Sequence, residues 1–408
     1  MARYLNAREA AEYLGISRQT LYAYVSRGLI RSAPLEKDRR ARGYYREDVV
    51  ALKARHDRRG NPDEAVRSAL YWGAPVLDSS ITLIRDGHLY YRGVDIEVLV
   101  DSPLEATALL LWSGEEQPLS AFFAARKNLR LESISTEPSL PPFEAMFAML
   151  PRAAYDEPGA YDFRRGAMME TGVRIVTRLA HAAAGAGERV APLPEQDWTV
   201  AEYLRRAWSP GRPEVLEAIE KALIVCADHE LNVSTFCARC VASARASLHA
   251  AVIAGMAALS GVRHGRHTEQ VEALFDEAGE AGAIRETLSA WQRRGGASID
   301  FSHPLYPDGD PRGRILMEIV RRLRPAAPEI DMIEALADAL NLPRGRAPVV
   351  DVALVALARA FDLPRGASLA LFALGRSLGW IAHAIEQIES DRGIRPRARY
   401  VGILPKSV

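Results

Sequence analysis

Beyond residue 93 the chain never alternates strand with helix. Ala- and Leu-rich segments of helical character follow one another, interrupted by Gly- and Pro-bearing breaks around 137–142, 188–196, 209–213, 294–297 and 342–347. A parallel α/β sheet needs strand and crossover helix in turn, in units of about 30 residues, so that class is excluded. What remains is helix packed on helix, in a chain of 408 residues that is too long for one small domain. One exception precedes the helices. Val76–Ile84 alternates in polarity, Arg85-Asp86-Gly87 reads as a turn, and His88–Tyr91 alternates again, which predicts a small antiparallel hairpin. No repeat, low-complexity tract or Gly-rich phosphate loop occurs, which removes the dinucleotide and nucleoside-triphosphate motifs.

Charge divides the chain. Residues 1–59 hold 14 Lys and Arg against 7 Asp and Glu, a net of +7, and the whole chain sums to zero, so the other 349 residues carry −7. A basic head on an acidic body points to two parts with different partners. Within the head, Asn6 is placed to cap a helix over Ala7–Leu14. Gly15-Ile16 makes a turn, and Ser17 caps a second helix over Arg18–Arg27 that Gly28 ends. Ala10, Leu14, Ile16, Leu21 and Val25 would share a small core. A basic segment at 37–46 and a helical pattern at 47–55 follow, and the polar run 56–63 is the candidate linker. No apolar run approaches the roughly 18 residues of a membrane helix. The first residues lack an apolar signal core, and three cysteines suit a reducing compartment, so a cytoplasmic protein is expected.

Four regions of the body concentrate polar residues that a helical core does not need. Ala227–Thr235 (ADHELNVST) contains Asn232 and Ser234, both natural caps for the long small-residue helix expected next, but capping leaves His229 unexplained. Ser260–His267 (SGVRHGRH) sets His264 between glycines just before a helix expected from Thr268. The positive end of a helix dipole disfavours an imidazolium there, and a neutral imidazole can donate to a developing enolate. Asp300–Arg312 (DFSHPLYPDGDPR) places His303 and Arg312 in reach of one anion, and Asp351 opens an apolar helix, where its simplest role is a cap. Each signal is weak by itself.

Taken in order, they resemble the citrate synthase family. Asp228–Thr235, His264-Gly265, His303…Asp310-Pro311-Arg312, Val350-Asp351, Arg376…Gly379 and Arg395-Pro396 follow one another as that family's motifs do, and Leu77–Ile96 is similar to its N-terminal hairpin, so the resemblance spans about residues 70–402. It implies an all-α, two-domain helical fold with a small β-hairpin. A large domain would comprise 66–263 and 356–408, and a small domain 264–355 would close over the cleft. It implies Asp351 as the base on the acyl methyl group, His264 as the stabiliser of the enol, and His303 as the group polarising oxaloacetate. His229, Arg312, Arg376 and Arg395 would hold that dianion, Arg395 from across a homodimer. No metal or cofactor is implied, since the coenzyme A thioester is a substrate. The sequence departs from the family at Asp300 and Ser302, where glycines are usual, at Pro307, and at Arg266-His267, where small residues are usual. A zinc site built from Cys226, His229, Cys237 and Cys240 is the rival for these side chains. Its inner gap of seven residues is short, and Cys237 and Cys240 fall on a continuous helical segment, so no metal is expected.

Residues 1–60 resemble the helix-turn-helix, with or without a wing, of MerR-like and excisionase-like proteins. That implies Arg18, Gln19 and Tyr22 on the DNA-facing side of the second helix. Two functions follow: an acyltransferase making citrate or 2-methylcitrate from oxaloacetate and acetyl-CoA or propionyl-CoA, and a DNA-binding regulator whose enzyme-like body senses a metabolite.

Overall fold

The computed structural model describes residues 4–52 except 28, 36–37, 47 and 51, and residues 77–403 except 128, 130, 132–139, 158, 187–197, 296–298 and 399. The chain forms two compact units, 1–79 and 80–408.

The N-terminal unit begins with strand β1 (Tyr4–Leu5), helix α1 (Ala7–Leu14) and helix α2 (Arg18–Ser26), followed by β2 (Ser32–Leu35) and β3 (Asp38–Tyr45). Asn6 makes a full capping box, its side chain accepting from the Glu9 amide while Glu9 returns to the Asn6 amide. Gly15 ends α1 at φ +70°, a left-handed position that suits glycine, and Ser17 caps α2 through the Thr20 amide. The expected helix over 18–27 ends one residue early, with Arg27 as its C-cap; Gly28 lies outside the described residues. β3 pairs antiparallel with both β1 and β2, so the wing left open by the sequence is a three-stranded sheet of order β1-β3-β2. Ala10, Ala11, Leu14, Leu21, Ile30, Tyr44 and Val49 form its core, with Ile16 and Val25 half-buried beside them. Of the helical pattern at 47–55, residues 48–50 and 52 are helical, and the linker candidate 56–63 lies outside the described residues.

The second unit opens with β4 (Thr82–Arg85), β5 (His88–Tyr91) and β6 (Val94–Asp95), an antiparallel sheet in that order. Its first strand is shorter than expected. The turn is Asp86-Gly87, both at positive φ, the twist that a two-residue hairpin favours. Helices α3 (Ile96–Leu99), α4 (Leu104–Ser113), α5 (Ser120–Arg126), α6 (Pro142–Tyr155), α7 (Arg165–Ala184), α8 (Val200–Trp208) and α9 (Val215–Cys226) follow. The single long helix expected after residue 235 is two, α10 (Val233–Ser243) and α11 (Leu248–Leu259). They are separated where Arg245 takes φ +55° and Ser247 caps anew through the Ala250 amide. Then come α12 (His267–Ala278), α13 (Ile284–Arg293), α14 (Pro311–Leu323), α15 (Pro328–Ala339), α16 (Val350–Ala360) and the 24-residue α17 (Ala367–Ser390).

α17 is apolar nearly all round because it is the axis of the unit. It packs against α4, α6, α7, α9, α10, α11, α12 and α16. Among the described residues it alone is long and apolar enough to cross a membrane, and that stretch is wholly buried within the fold. Close approach to α9 and its following turn requires Gly379, where a Cβ would overlap Asp228 Oδ1 and the Ala227 carbonyl. That contact carries the polar turn 227–232 onto the axis, and the site grows from it.

Candidate active site

The turn after α9 delivers Asp228 and His229 into the core. Asp228 is fully buried; its Oδ2 accepts from Thr82 Oγ1 at 2.6 Å and lies 3.3 Å from His383 Nε2, while Oδ1 has no partner among the described residues. Although burial opposes ionisation, His383, Arg376 and the Thr82 hydrogen bond hold its carboxyl below the ordinary range. Tyr91 fixes the same turn, its hydroxyl donating to the Asp228 carbonyl at 3.0 Å and accepting from the Asp228 amide at 3.1 Å. His229 pairs through Nε2 with the Tyr306 hydroxyl at 3.0 Å and meets His303 edge to face, ring centres 4.9 Å apart. Burial, with Arg312 and the other imidazoles nearby, keeps His229 neutral, its pKa well below the usual value.

His303 sits in the loop before α14. Its Nδ1 accepts the Leu305 amide at 3.2 Å, so the single proton of the neutral ring is on Nε2 and Nε2–H is a donor. Burial and Arg312 push its pKa down to about 4. His264 lies in the turn before α12, its Nε2 2.9 Å from Ser234 Oγ and its ring edge-on to Phe372. Burial, Arg376 and Arg312 lower its pKa to about 3. Burial and two buried guanidinium groups thus keep this ring neutral. The role expected for Ser234 changes. Asn232 alone caps α10, accepting from the Ser234 and Thr235 amides, and Ser234 instead links Asn232, His264 and the Trp380 indole N–H.

Two arginines face these imidazoles. Arg312, 3% exposed, forks onto Asp310 through Nε at 2.9 Å and Nη2 at 2.6 Å, beside the Tyr306 ring. Against the pull of burial, that pairing raises its pKa. Arg376, 1% exposed, donates Nε to the Cys226 carbonyl at 2.7 Å and lies over Phe372, while its Nη2 finds no acceptor among the described residues. A buried charged donor left unpaired costs on the order of 1–3 kcal/mol or more, which makes Arg376 a natural seat for an anion.

Asp351 stands in the first turn of α16, half-buried and in no ion pair among the described residues. The capping role suggested by sequence is not what it does, because the N-cap is Val349 and no side chain caps this helix. Burial raises its carboxyl pKa, partly offset by His267 and Arg312, as suits a base. Arg395 is not brought to this cluster by its own chain; it lies exposed in the irregular segment after α17. The four zinc candidates do not converge. Cys226 is buried with its thiol pushed up to about 12, Cys237 and Cys240 lie on α10, and the one group of close potential ligands among the described residues is His88, Asp95 and Glu97 at the hairpin. In the N-terminal unit Arg18, Gln19 and Tyr22 are all exposed on α2.

Sequence reasoning missed Tyr306, Phe372, Trp380, the linking role of Ser234 and, although its motif was named, the pairing of Asp310 with Arg312. Only Asp310 carried a local signal, as the residue placed to cap α14 while pairing with Arg312.

Residues 4–57 match a helix-turn-helix domain, and residues 70–397 match the family described as "Citrate synthase, C-terminal domain". "Citrate synthase 2" of Bacillus subtilis is 28% identical over 355 residues, covering 81% of this chain and 94% of that protein. "Putative citrate synthase 2" of Mycobacterium tuberculosis is 30% identical over 337 residues, covering 79% and 88%. Among solved structures, the citrate synthase of Thermoplasma acidophilum, in ternary complex with carboxymethyl coenzyme A and oxaloacetate, superposes with TM-score 0.69 at 25% identity over 82% of this chain and 96% of that one. That of Thermotoga maritima gives 0.68 at 24%, with the same coverage. The helical body, the order of its motifs and these matches agree: the chain belongs to the citrate synthase family and carries a helix-turn-helix domain at its N-terminus.

Proposed function

We propose that the chain condenses acetyl-CoA or a short homologue such as propionyl-CoA with oxaloacetate, giving citrate or 2-methylcitrate and free CoA. The observation that carries this reading is the buried Nη2 of Arg376, without a partner among the described residues, together with three imidazoles held neutral. A dicarboxylate would meet that donor, and neutral imidazoles are the right acids for uncharged carbonyl oxygens. Asp351 takes a proton from the carbon next to the thioester. His264 donates to the thioester oxygen as the enol forms, and the enol carbon attacks the ketone of oxaloacetate. His303 donates Nε2–H to the ketone oxygen, which becomes the hydroxyl; water then cleaves the thioester and releases the thiol. The Ser234 hydroxyl donates to Asn232 Oδ1 at 2.7 Å and its oxygen lies 2.9 Å from His264 Nε2, which fixes the orientation of that ring. His229, Arg376, Arg312 and the partner subunit's Arg395 hold the carboxylates, and residues 264–355 close over the cleft to exclude water. The test is thiol release by the purified protein with oxaloacetate and a series of acyl-CoAs. No release with any of them overturns the reading.

The N-terminal unit supports a second reading, DNA binding in a regulatory role. It rests on Arg18, Gln19 and Tyr22 exposed together on α2 and on the +7 charge of residues 1–59. The two readings are compatible in one chain.

A further inference from the structure

The three groups assigned to the chemistry stand on segments that share no secondary-structure element: the turn carrying His264, the strap carrying His303, and the helix start carrying Asp351. Two backbone hydrogen bonds and one side chain tie them. The His267 amide donates to the His264 carbonyl at 3.0 Å, and the Val349 amide, at the cap of the Asp351 helix, donates to the Phe301 carbonyl at 3.0 Å. Between these, the Asp300 amide donates to His267 Nε2 at 3.0 Å. His267 is the first residue of α12 and only 8% exposed, and Phe301, next to Asp300, is itself buried. The strap is therefore gripped on one side by α16 and on the other by an imidazole.

We infer that His267 is a positioning residue for the condensation, holding the His303 strap against the His264 turn so that the two donors keep their spacing. The inference rests on the functional reading above. Backbone alone does not make this tie: the strap offers an amide donor at Asp300, and the acceptor it meets is a side chain rooted three residues from His264. A ring that accepts at Nε2 bears its proton on Nδ1, so the positive end of its dipole is turned away from the strap. The strap it holds also takes the Val349 amide, at the start of the Asp351 helix, on the Phe301 carbonyl; one side chain thus bears on the surroundings of all three groups. The tie is made by protein atoms alone, so it preorganises the site before oxaloacetate arrives.

The role separates from simple space filling by comparing His267→Leu, which fills the volume without an acceptor, with His267→Gln, whose Oε1 reproduces Nε2. In His267→Leu, kcat for thiol release should fall roughly 10-fold, about 1.4 kcal/mol, with the KM for oxaloacetate within about twofold of wild type. Exchange of the Asp300 amide in the full-length protein should quicken by a similar factor. His267→Gln should restore both. Equal behaviour of the Leu and Gln variants, or an unchanged kcat and exchange rate in His267→Leu, overturns the inference. A wild-type protein that releases no thiol instead overturns the condensation reading and with it the catalytic part of this one, and amide exchange then decides the tie between the two segments.

Discussion

On α2 of the N-terminal unit Arg18 stands in solvent, and on α1 Arg8 pairs with Glu12 while its side chain stays 73% exposed. In the helical body Arg312 and Arg376 are 3% and 1% exposed. The same residue type serves two opposite electrostatic regimes. Exposed guanidinium groups are screened by solvent and individually contribute little, so they act by number, through a summed field that a polyanion can meet. Buried ones must be matched atom by atom: Arg312 is matched by Asp310, and Arg376 only in part. Net charge found the first group and is blind to the second. An unmatched buried donor is the more specific functional mark.

The largest break in this comparison comes from the groups that do chemistry. Asp351→Asn and His264→Ala should each lower turnover by at least about 100-fold, because both act on the proton-transfer step, while circular dichroism shows the fold retained. Thiol release near the wild-type rate in either variant would remove that residue from the mechanism. Arg376→Leu should raise the oxaloacetate KM by roughly 10- to 100-fold and the acyl-CoA KM much less, since a charged hydrogen bond contributes about 1.5–3 kcal/mol. Arg312→Leu is the poorer probe. It strands Asp310, whose pairing is already internal, and breaking a buried pair costs about 3–5 kcal/mol of stability. Equal weakening of both substrates in Arg376→Leu would make that arginine structural.

A pH profile sharpens the contrast between buried acid and buried base. His303 at about 4 and His264 at about 3 stay neutral well into acid. Asp351 must be ionised to act, and burial raises its pKa. As pH falls, kcat/KM should therefore drop through Asp351 first, about tenfold per pH unit with a slope of one, and the limb should sit above the ordinary carboxylate range. A slope of two, or a limb that survives in an Asp351→Asn background, contradicts this order.

Glu105 shows the same burial acting on stability rather than catalysis. It is fully buried at the start of α4; Oε1 accepts the Val200 amide at 2.7 Å and Oε2 has no partner among the described residues. Burial pushes its pKa up to about 7, with Glu220 adding and Arg126 opposing. The native state then keeps a proton that the unfolded chain has released above about pH 4.5. Stability contributed by this group is complete below that pH, declines as pH rises towards about 7, and is flat beyond, a change of up to about 3 kcal/mol. Glu105→Gln should accordingly raise Tm by a few degrees relative to wild type near pH 8 and not near pH 4.5, read by calorimetry. A gain of the same size at both would show that the carboxyl does not titrate in this range.

Much of the fold was legible because its signals are local. The caps at Asn6, Ser17 and Asn232, the left-handed Gly15 and the hairpin turn each follow from a few adjacent residues. The side chains assigned to the chemistry were named through the order of motifs, not through any local rule. Their supports were out of reach: Ser234 meets Trp380 across 146 positions, and Tyr306 meets His229 across 77. Nothing near Ser234 in the chain distinguishes a cap from a link to His264. Asp351 misled for the same reason, since a carboxylate in a first turn reads as a cap until the backbone shows Val349 in that place.

The smallest expected effect is on the enzyme when the head is removed. Every group assigned to the chemistry lies beyond residue 228, and 1–79 and 80–408 are separate compact units, each with its own core. Deleting residues 1–62 should thus leave kcat and both KM values within about twofold. The full-length protein should bind DNA with a strong salt dependence, and Arg18→Ala should reduce the salt slope by about 1, because binding through one phosphate fewer releases one counterion fewer. Two copies of the body in a dimer would present two heads, so the preferred site should be palindromic. Disappearance of thiol release on truncation would make the head part of the enzyme. Absence of any retarded complex with genomic fragments at low salt would leave α2 with its exposed Arg18, Gln19 and Tyr22 as an assembly surface, and the comparison between wet and buried arginines would then concern two kinds of protein contact rather than two kinds of anion.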